Sequence, residues 1–389
     1  MCFGPFSKLC HWGPLSAICI IKCVTGMTMH CSNLLWPGKS YMGMLNTLCF
    51  MSLAGLTLYN FLSAIAHGPG FLPNNWVPGN MNDVKLMQFC KVCNSYKAPR
   101  SHHCRKCNRC VLKMDHHCPW INNCVGWGNH AHFIAFLSFA TIGCLHASFI
   151  LGTTLYRSVY RVYPIDVHHR HQVVYLGLYG TIFCVLSLGF AIGVVIAVGM
   201  LLYFQIRAIV RNRTGIEDWI IEKAAYRRRH SNKPFLYPYD LGIWRNIKQV
   251  VTFSCQPIGD GIYWDVVDGC NQYSLTVEQL KQKKEKRSRA RLYTVVKGAS
   301  GYWFPVVHGV GVFCHPPCTD EERITLQPDD EVVVTRWRKY WLFGEKIQEE
   351  NGQPKKRVRG WFPRCCAVET TEEIPSTSVQ DGNNKYKTN

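Results

Sequence analysis

Residues 173–205, "VVYLGLYGTIFCVLSLGFAIGVVIAVGMLLYFQ", form a stretch without a single Asp, Glu, Lys or Arg. A run of about 20 uncharged, mostly apolar residues is the length that crosses a bilayer as a helix. Residues 41–66 and 133–156 are equally free of charge. A weaker run, residues 13–31, contains Lys22 near its middle, which costs about 2.5–3.5 kcal/mol in the bilayer unless the side chain snorkels. The sequence therefore predicts a polytopic α-helical membrane protein with four transmembrane helices.

The chain is strongly basic, with 44 Lys and Arg residues against 25 Asp and Glu. A basic chain suggests nucleic acid or an anionic membrane surface as a partner. The uncharged runs favour the membrane, because helices buried in a soluble core would need more covering protein than this chain provides. Residues 68–132 hold eight Lys and Arg, against one in 32–40 and three in 157–172. The positive-inside rule therefore predicts that this loop, both termini and everything after residue 205 face the cytosol.

Seven of the 21 cysteines crowd into this loop. They are Cys90, Cys93, Cys104, Cys107, Cys110, Cys118 and Cys124. Disulfides are rare in the reducing cytosol, so the close spacing indicates metal binding or catalysis. The segments CKVC and CRKC have the two-residue gap that lets both sulfurs reach one tetrahedral zinc. If one cysteine stays free, the other six and two histidines supply two Cys3His sites.

Cys118 is the candidate for the free cysteine, because it has no partner at two-residue spacing. It directly follows Asp115, His116 and His117. Adjacent side chains in extended backbone point to opposite sides, so one histidine can bind metal while its neighbour faces Cys118. These residues alone leave an alternative open, in which all seven cysteines are structural, as in a zinc ribbon that binds nucleic acid or protein.

The complete spacing is much more specific than any one of these pairs. From Cys90 to Phe133 it reads C-x2-C-x9-H-C-x2-C-x2-C-x4-D-H-H-C-x5-C-x4-N-x3-F, with Asn129 and Phe133 closing it. This pattern closely resembles the DHHC family of protein S-acyltransferases, the palmitoyltransferases. The resemblance implies two structural zinc ions. One would be held by Cys90, Cys93, His103 and Cys110, and the other by Cys104, Cys107, His117 and Cys124.

The resemblance also implies roles for the reacting groups. Cys118 would be the nucleophile, His116 its general base and Asp115 the residue that orients His116, which is the logic of a catalytic triad. Trp120 would lie at the membrane face, near the acyl chain of a palmitoyl-CoA co-substrate. The enzyme would pass the acyl group from Cys118 to cytosolic cysteines of membrane-associated proteins, and no nucleic-acid partner is expected.

Two segments after the fourth span resemble further family motifs. In RNRTGIEDW, residues 211–219, Thr214 and Glu217 match the family's TTxE motif, but Gly215 replaces the second threonine. That side chain supports the DHHC aspartate in the family, so the alternative function is a catalytically weak membrane scaffold that recruits partners through its C-terminal domain. Residues 237–251 resemble the family's C-terminal motif, in which Asn246 would be a buried residue that ties the tail to the helix bundle.

Residues 291–369 alternate short β-rich runs with turn residues, which predicts a small all-β barrel. Their order resembles a Src-homology-3 (SH3) domain and implies protein partners that bind to this SH3-like domain. Such domains carry aromatic residues for proline-rich ligands. The corresponding positions here are Val295, Tyr340 and Cys366, which disfavours a proline-rich ligand.

Together these signals divide the chain into six segments. They are residues 1–66 with helices 1 and 2, 67–132 with the Cys-rich zinc domain, 133–205 with helices 3 and 4, 206–290 with the two motifs and a basic linker, 291–369 with the SH3-like domain, and 370–389 as a disordered tail. The tail ends in KYKTN, where Lys385 and Lys387 resemble the dilysine retrieval signal of the endoplasmic reticulum. We therefore expect a multi-pass protein of the endoplasmic reticulum membrane.

Overall fold

The computed structural model describes residues 4–36, 40–160, 174–230, 233–303, 305–319, 321–346, 349–350, 353–354 and 358–370. The chain divides into two compact units, Met1–Val277 and Glu278–Asn389. Residues 371–389, which include Lys385 and Lys387, lie outside the described residues.

Four long apolar helices confirm the predicted membrane spans. They are α1 (Trp12–Leu35), α2 (Tyr41–Ala66), α3 (His130–Tyr160) and α4 (Leu178–Val210). The bounds of α2 are those predicted from its apolar run. By contrast, α3 begins before its run and α4 continues beyond residue 205, because helical hydrogen bonding does not stop where the apolar residues stop. The polar ends of both helices therefore reach the cysteine-rich loop.

The third helix is central to the bundle. It packs against α2 and α4, and α1 packs against α3 and α4. Buried side chains such as Phe50, Ile150 and Cys184 fill the space between the helices. Large apolar side chains such as Phe183 and Ile196 remain exposed on the outer surface of α4. This apolar outer surface suits lipid tails, as expected for a membrane-spanning bundle.

The loop between α2 and α3 folds into three two-stranded hairpins. Their strands are β1 (Gln88–Cys90) with β2 (Ser95–Lys97), β3 (His102–Cys104) with β4 (Arg109–Val111), and β5 (His116–Cys118) with β6 (Asn123–Val125). Each turn contains an asparagine with positive φ, 50° at Asn94, 52° at Asn108 and 46° at Asn122. Asparagine tolerates this left-handed conformation better than most residues. The same tight turn therefore recurs three times and brings the cysteines and histidines together.

Between α4 and the first strand of the second unit, the described residues form three helices: α5 (Gly215–Arg227), α6 (Ile243–Lys248) and α7 (Ser274–Ser288). Thr214 begins α5 with a capping box, in which its hydroxyl accepts from the Glu217 N–H and the Glu217 carboxylate accepts from the Thr214 N–H. The last of these helices takes in most of the predicted basic linker, so that run is helical up to Ser288.

The second unit contains the predicted small all-β domain. Its elements are β7 (Arg291–Val295), β8 (Ala299–Ser300), α8 (Val310–Cys314), β9 (Thr325–Leu326), β10 (Glu331–Trp337), β11 (Trp341–Lys346), β12 (Glu349–Glu350), β13 (Gln353–Pro354), β14 (Val358–Pro363) and β15 (Ala367–Glu369). Five strands form an antiparallel sheet in the order β14-β11-β10-β7-β15. Val295 and Cys366 are fully buried in the core of this unit with Leu342 and Phe362. These two side chains therefore pack the domain and do not line a surface groove.

Candidate active site

Eight cysteine and histidine side chains of the hairpins gather into two groups of four. The first contains Cys90, Cys93, His103 and Cys110, the second contains Cys104, Cys107, His117 and Cys124, and the ligand atoms of each group all lie within 4.8 Å of one another. The distances from sulfur to histidine Nδ1 are 3.3–3.9 Å in the first group and 3.4–3.7 Å in the second. Zinc bonds of about 2.3 Å to sulfur and about 2.0 Å to nitrogen, at a tetrahedral angle, set these atoms about 3.5 Å apart. Both groups therefore fit one zinc ion each.

The two groups share strands, which couples them mechanically. Neighbouring residues His103 and Cys104 on β3 belong to different groups. On β5, His117 joins the second group while His116 turns towards Asp115. This alternation follows from the extended backbone, in which successive side chains point to opposite faces. A metal held by His117 therefore fixes the direction of His116.

Asp115 orients His116 and is itself held by two other parts of the chain. His116 Nδ1 lies 2.8 Å from Asp115 Oδ2. Gln205 Nε2 donates to the same oxygen at 2.8 Å, and the backbone N–H of Gly215 donates to Oδ1 at 2.9 Å. Burial alone would raise the pKa of Asp115, but the hydrogen bond and positive charge of His116 hold the pKa well below its usual range. The carboxylate is therefore ionised at neutral pH.

Cys118 ends strand β5 and is buried in an apolar cluster. This cluster includes Phe61 of α2, Phe133 of α3 and Leu201 of α4. Burial of the His116 ring lowers its pKa, but hydrogen bonds and charges of Asp115 and Cys118 outweigh this effect and raise the pKa to about 9. His116 is thus set to carry a proton on the strand that ends at Cys118.

The turn after Cys118 fits closely against the first membrane helix. Trp120 is 44% exposed and meets Trp12 of α1 edge to face, with ring centroids 5.6 Å apart. Next to this contact, a Cβ on Gly13 would lie 2.0 Å from the carbonyl oxygen of Pro119. Only glycine therefore permits this approach of α1 to the turn.

Sequence reasoning missed two buried residues behind Asp115. His130 Nε2 lies 2.8 Å from Gln205 Oε1, and this contact orients the amide so that Gln205 Nε2 faces Asp115. The sequence offered one sign of the role of Gln205. A polar side chain within a membrane span is energetically costly and is therefore often functional. Nothing in the sequence indicated that Gln205 and Asp115 would meet, because they are 90 residues apart.

A second polar network joins the zinc loop to the segment after α4, and sequence reasoning did not predict Arg100 in it. The Arg100 guanidinium makes two hydrogen bonds to Glu217, of 2.7 Å and 2.8 Å, and both side chains are fully buried. The Tyr237 hydroxyl donates to Glu217 at 2.8 Å, and Asn212 Oδ1 accepts from Arg100 at 3.1 Å. In the TTxE-like segment, Glu217 thus anchors the zinc loop, whereas Gly215 reaches Asp115 through its backbone.

Asn246 is buried, as predicted. Its amide donates to the carbonyl of Val210, the last residue of α4, at 2.8 Å and to Asp240 at 2.7 Å. Its carbonyl accepts from the Leu241 N–H at 3.0 Å. The residue therefore ties the segment after the bundle to the end of α4.

Four membrane helices, two clusters that fit zinc and the Asp-His-His-Cys segment at residues 115–118 define a membrane protein of the DHHC type. Residues 84–222 match the DHHC palmitoyltransferase family. The chain is 44% identical to human palmitoyltransferase ZDHHC6 over 396 residues, which cover 98% of this chain and 96% of the relative. Its identity to zebrafish palmitoyltransferase ZDHHC6 is 43% over 390 residues, or 96% and 95% of the two chains. A probable protein S-acyltransferase 16 of Arabidopsis thaliana is 32% identical over 219 residues, 54% of this chain and 73% of the relative.

The chain therefore belongs to the DHHC palmitoyltransferase family. It is a multi-pass membrane enzyme, a protein-cysteine S-palmitoyltransferase that uses acyl-CoA as co-substrate, and its Cys-rich loop has two Cys3His clusters that each fit one zinc ion.

Proposed function

We propose that palmitoyl transfer proceeds through an acyl-enzyme intermediate on Cys118. The observation that carries the proposal is the hydrogen bond between His116 and Asp115 on the strand that ends at Cys118, whose side chain is packed among side chains of the membrane helices. An acyl chain leaving CoA is insoluble in water, so the apolar surroundings of Cys118 suit it. Trp120, at the edge of the same turn, would contact the chain near its thioester.

The reaction has two thioester exchanges. In the first, the Cys118 thiolate attacks the carbonyl carbon of palmitoyl-CoA, a new carbon–sulfur bond forms, and CoA leaves as a thiol after taking a proton from His116. In the second, neutral His116 takes the proton of the substrate cysteine, whose sulfur attacks the Cys118 thioester and releases the Cys118 thiolate. His116 is then protonated again and the enzyme is regenerated. Asp115 stabilises this imidazolium and holds its ring in place.

The two zinc ions have a structural role in this scheme. Cys90, Cys93, His103 and Cys110 would hold one, and Cys104, Cys107, His117 and Cys124 would hold the other. Three sulfurs and one nitrogen fill a tetrahedral shell and leave no position for a reacting water. Their contribution is to fix strand β5 and therefore the direction of His116 and Cys118.

We also propose that Gln205, His130 and the Gly215 N–H position Asp115. The scaffold alternative depended on the missing threonine hydroxyl at residue 215. Two donors other than His116, the Gln205 amide and the Gly215 N–H, contact the Asp115 carboxylate at 2.8 Å and 2.9 Å. A threonine at 215 is therefore not needed to orient the carboxylate, which favours the active enzyme.

The proposed cellular setting is the endoplasmic reticulum membrane, with the Cys-rich loop and both termini in the cytosol. The charge distribution of the loops supports this orientation, and Lys385 and Lys387 support retrieval to that membrane. Membrane-associated proteins with cytosolic cysteines would be the substrates, and the second unit, proposed to be SH3-like over residues 291–369, would bind protein partners. The six-segment division of the chain is retained as part of this proposal.

A chase experiment tests the intermediate. Purified enzyme is loaded with labelled palmitoyl-CoA, freed of excess CoA ester, and mixed with a cysteine peptide in detergent. Label should move from the enzyme to the peptide in a single turnover. Cys118→Ser should abolish both loading and transfer, whereas Cys255→Ser, a half-buried cysteine outside the site, should leave them unchanged. Transfer to the peptide without prior loading of the enzyme would refute the intermediate.

A further inference from the structure

A third group of cysteine and histidine side chains lies in the second unit, apart from the zinc clusters of the Cys-rich loop. It consists of His308, Cys365 and Cys366, whose ligand atoms all lie within 4.8 Å of one another. His308 ends the short 3-10 turn Val306–His308, and both cysteines belong to the 3-10 turn Arg364–Cys366 between β14 and β15.

One sulfur–nitrogen distance in this group matches those of the two zinc clusters. Cys366 Sγ lies 3.5 Å from His308 Nδ1, within the 3.3–3.9 Å range between sulfur and Nδ1 in the Cys-rich loop. The value also agrees with the spacing of about 3.5 Å that a tetrahedral zinc imposes on one sulfur and one nitrogen. Cys365 Sγ lies 3.7 Å from the backbone carbonyl oxygen of His308.

The backbone holds both turns in place without help from a metal. The N–H groups of Val296 and Lys297 donate to the carbonyl of Cys366 at 2.8 Å and 3.1 Å, and the Arg364 N–H donates to Tyr340 at 2.9 Å. Gly309, with φ of 95°, turns the chain directly after His308. The three ligands are therefore presented by ordered backbone, which lowers the entropic cost of binding an ion.

We propose that His308, Cys365 and Cys366 form a third metal site that binds Zn²⁺. Two thiolates and an imidazole suit zinc, whereas calcium and magnesium prefer oxygen ligands. Three protein ligands leave the fourth tetrahedral position for water or an exogenous ligand. Such an ion would link the turn before α8 to the turn between β14 and β15, and would stabilise the second unit by binding its folded form.

The competing explanation is that Cys366 is a small apolar residue of the β core and that its neighbours carry no ligand. Cys366 is indeed fully buried in that core, but Cys365 is exposed and His308 is half-buried. Cys365→Ser therefore removes one ligand without opening a cavity in the core, and it separates the two explanations better than a change at Cys366.

Metal content of the full-length enzyme in detergent tests the proposal. The wild-type chain should hold three zinc ions, and Cys365→Ser and His308→Ala should each hold two while Cys118 is still palmitoylated. Cys318→Ser and His315→Ala remove an exposed cysteine and a histidine of the same unit that lie outside the group, and both should keep three ions.

Limited proteolysis of the second unit checks that the variants remain folded. Two zinc ions per wild-type chain, or an equal loss of zinc in the Cys318→Ser and His315→Ala controls, would overturn the site. Three ions in folded Cys365→Ser would overturn it as well.

Discussion

Replacing Gln205 by leucine is expected to slow acylation of Cys118 without unfolding the zinc loop. The side-chain amide donates to Asp115 Oδ2 at 2.8 Å, and leucine fills a similar volume without a donor. Asp115 then keeps His116 and the Gly215 N–H as partners. Because His116 holds the pKa of Asp115 well below its usual range, the carboxylate stays ionised in this variant. The expected defect is therefore a less well oriented Asp115 carboxylate.

The size of the effect follows from the strength of the lost bond. A hydrogen bond to a charged group contributes about 1.5–3 kcal/mol, and each 1.4 kcal/mol corresponds to about tenfold in rate. Two other contacts still hold Asp115, so the lower end applies. We expect the rate of Cys118 acylation to fall about tenfold in Gln205→Leu, with the KM for palmitoyl-CoA unchanged. Phe204→Leu, at an exposed neighbour on the same helix, serves as the control and should match wild type.

Gly215 offers a rescue that a merely structural defect would not show. A Cβ built at Gly215 would lie 3.8 Å from Asp115 Oδ1, so a threonine hydroxyl there can reach hydrogen-bonding distance of the carboxylate. Gly215→Thr should therefore recover most of the rate lost in Gln205→Leu and change the wild-type rate much less. Single-turnover acylation with labelled palmitoyl-CoA measures all four proteins. A wild-type rate in Gln205→Leu, or a double variant as slow as the single one, would refute the reasoning.

Three other changes probe the zinc loop and its supports. Arg100→Leu leaves the fully buried Glu217 carboxylate without its cation, so the first unit should lose about 3–5 kcal/mol of stability. Its thermal unfolding temperature should therefore be lower than that of the control Arg105→Leu, in which the replaced side chain is exposed. His117→Ala should remove one zinc ion and, with it, acylation at Cys118, and a fully metallated variant would contradict the ligand assignment. Gly13→Leu would place its Cβ on the Pro119 carbonyl oxygen, so α1 must shift and acylation of Cys118 should fall. Gly26→Leu is the control, since nothing lies within 4 Å of the added Cβ, and its activity should match wild type. Equal activity of the two variants would contradict the close packing of α1.

The membrane architecture was predictable because its signal is local. A helix that crosses a bilayer must be apolar over its whole length, so the run at residues 41–66 predicted the bounds of α2 directly. The helix ends near the active site were harder to predict from the sequence. His130 and Gln205 are polar and fell at or beyond the edges of the apolar runs, yet both lie inside helices and support Asp115.

The two zinc groups were predictable because the pattern of cysteine and histidine spacings is specific, and their members gather as expected. The buried hydrogen-bond network around Arg100 and Glu217 was not predictable, because its members come together only in the folded chain. Arg100 reaches Glu217 across 117 positions of sequence, and no spacing rule connects them. The effect of Gly215 on activity stays a prediction, and the sequence did not show that its backbone N–H, which every residue except proline carries, contacts Asp115.

The central claim is that Cys118 carries the acyl group while its neighbours hold zinc. The most direct measurement is mass spectrometry of peptides from enzyme incubated with palmitoyl-CoA, combined with zinc analysis of the same sample and of Cys118→Ser. The account predicts a hydroxylamine-sensitive palmitoyl group on Cys118, no acyl group on this peptide in Cys118→Ser, and equal zinc content in both proteins. A palmitoyl group confined to other cysteines, or loss of a zinc ion in Cys118→Ser, would contradict it.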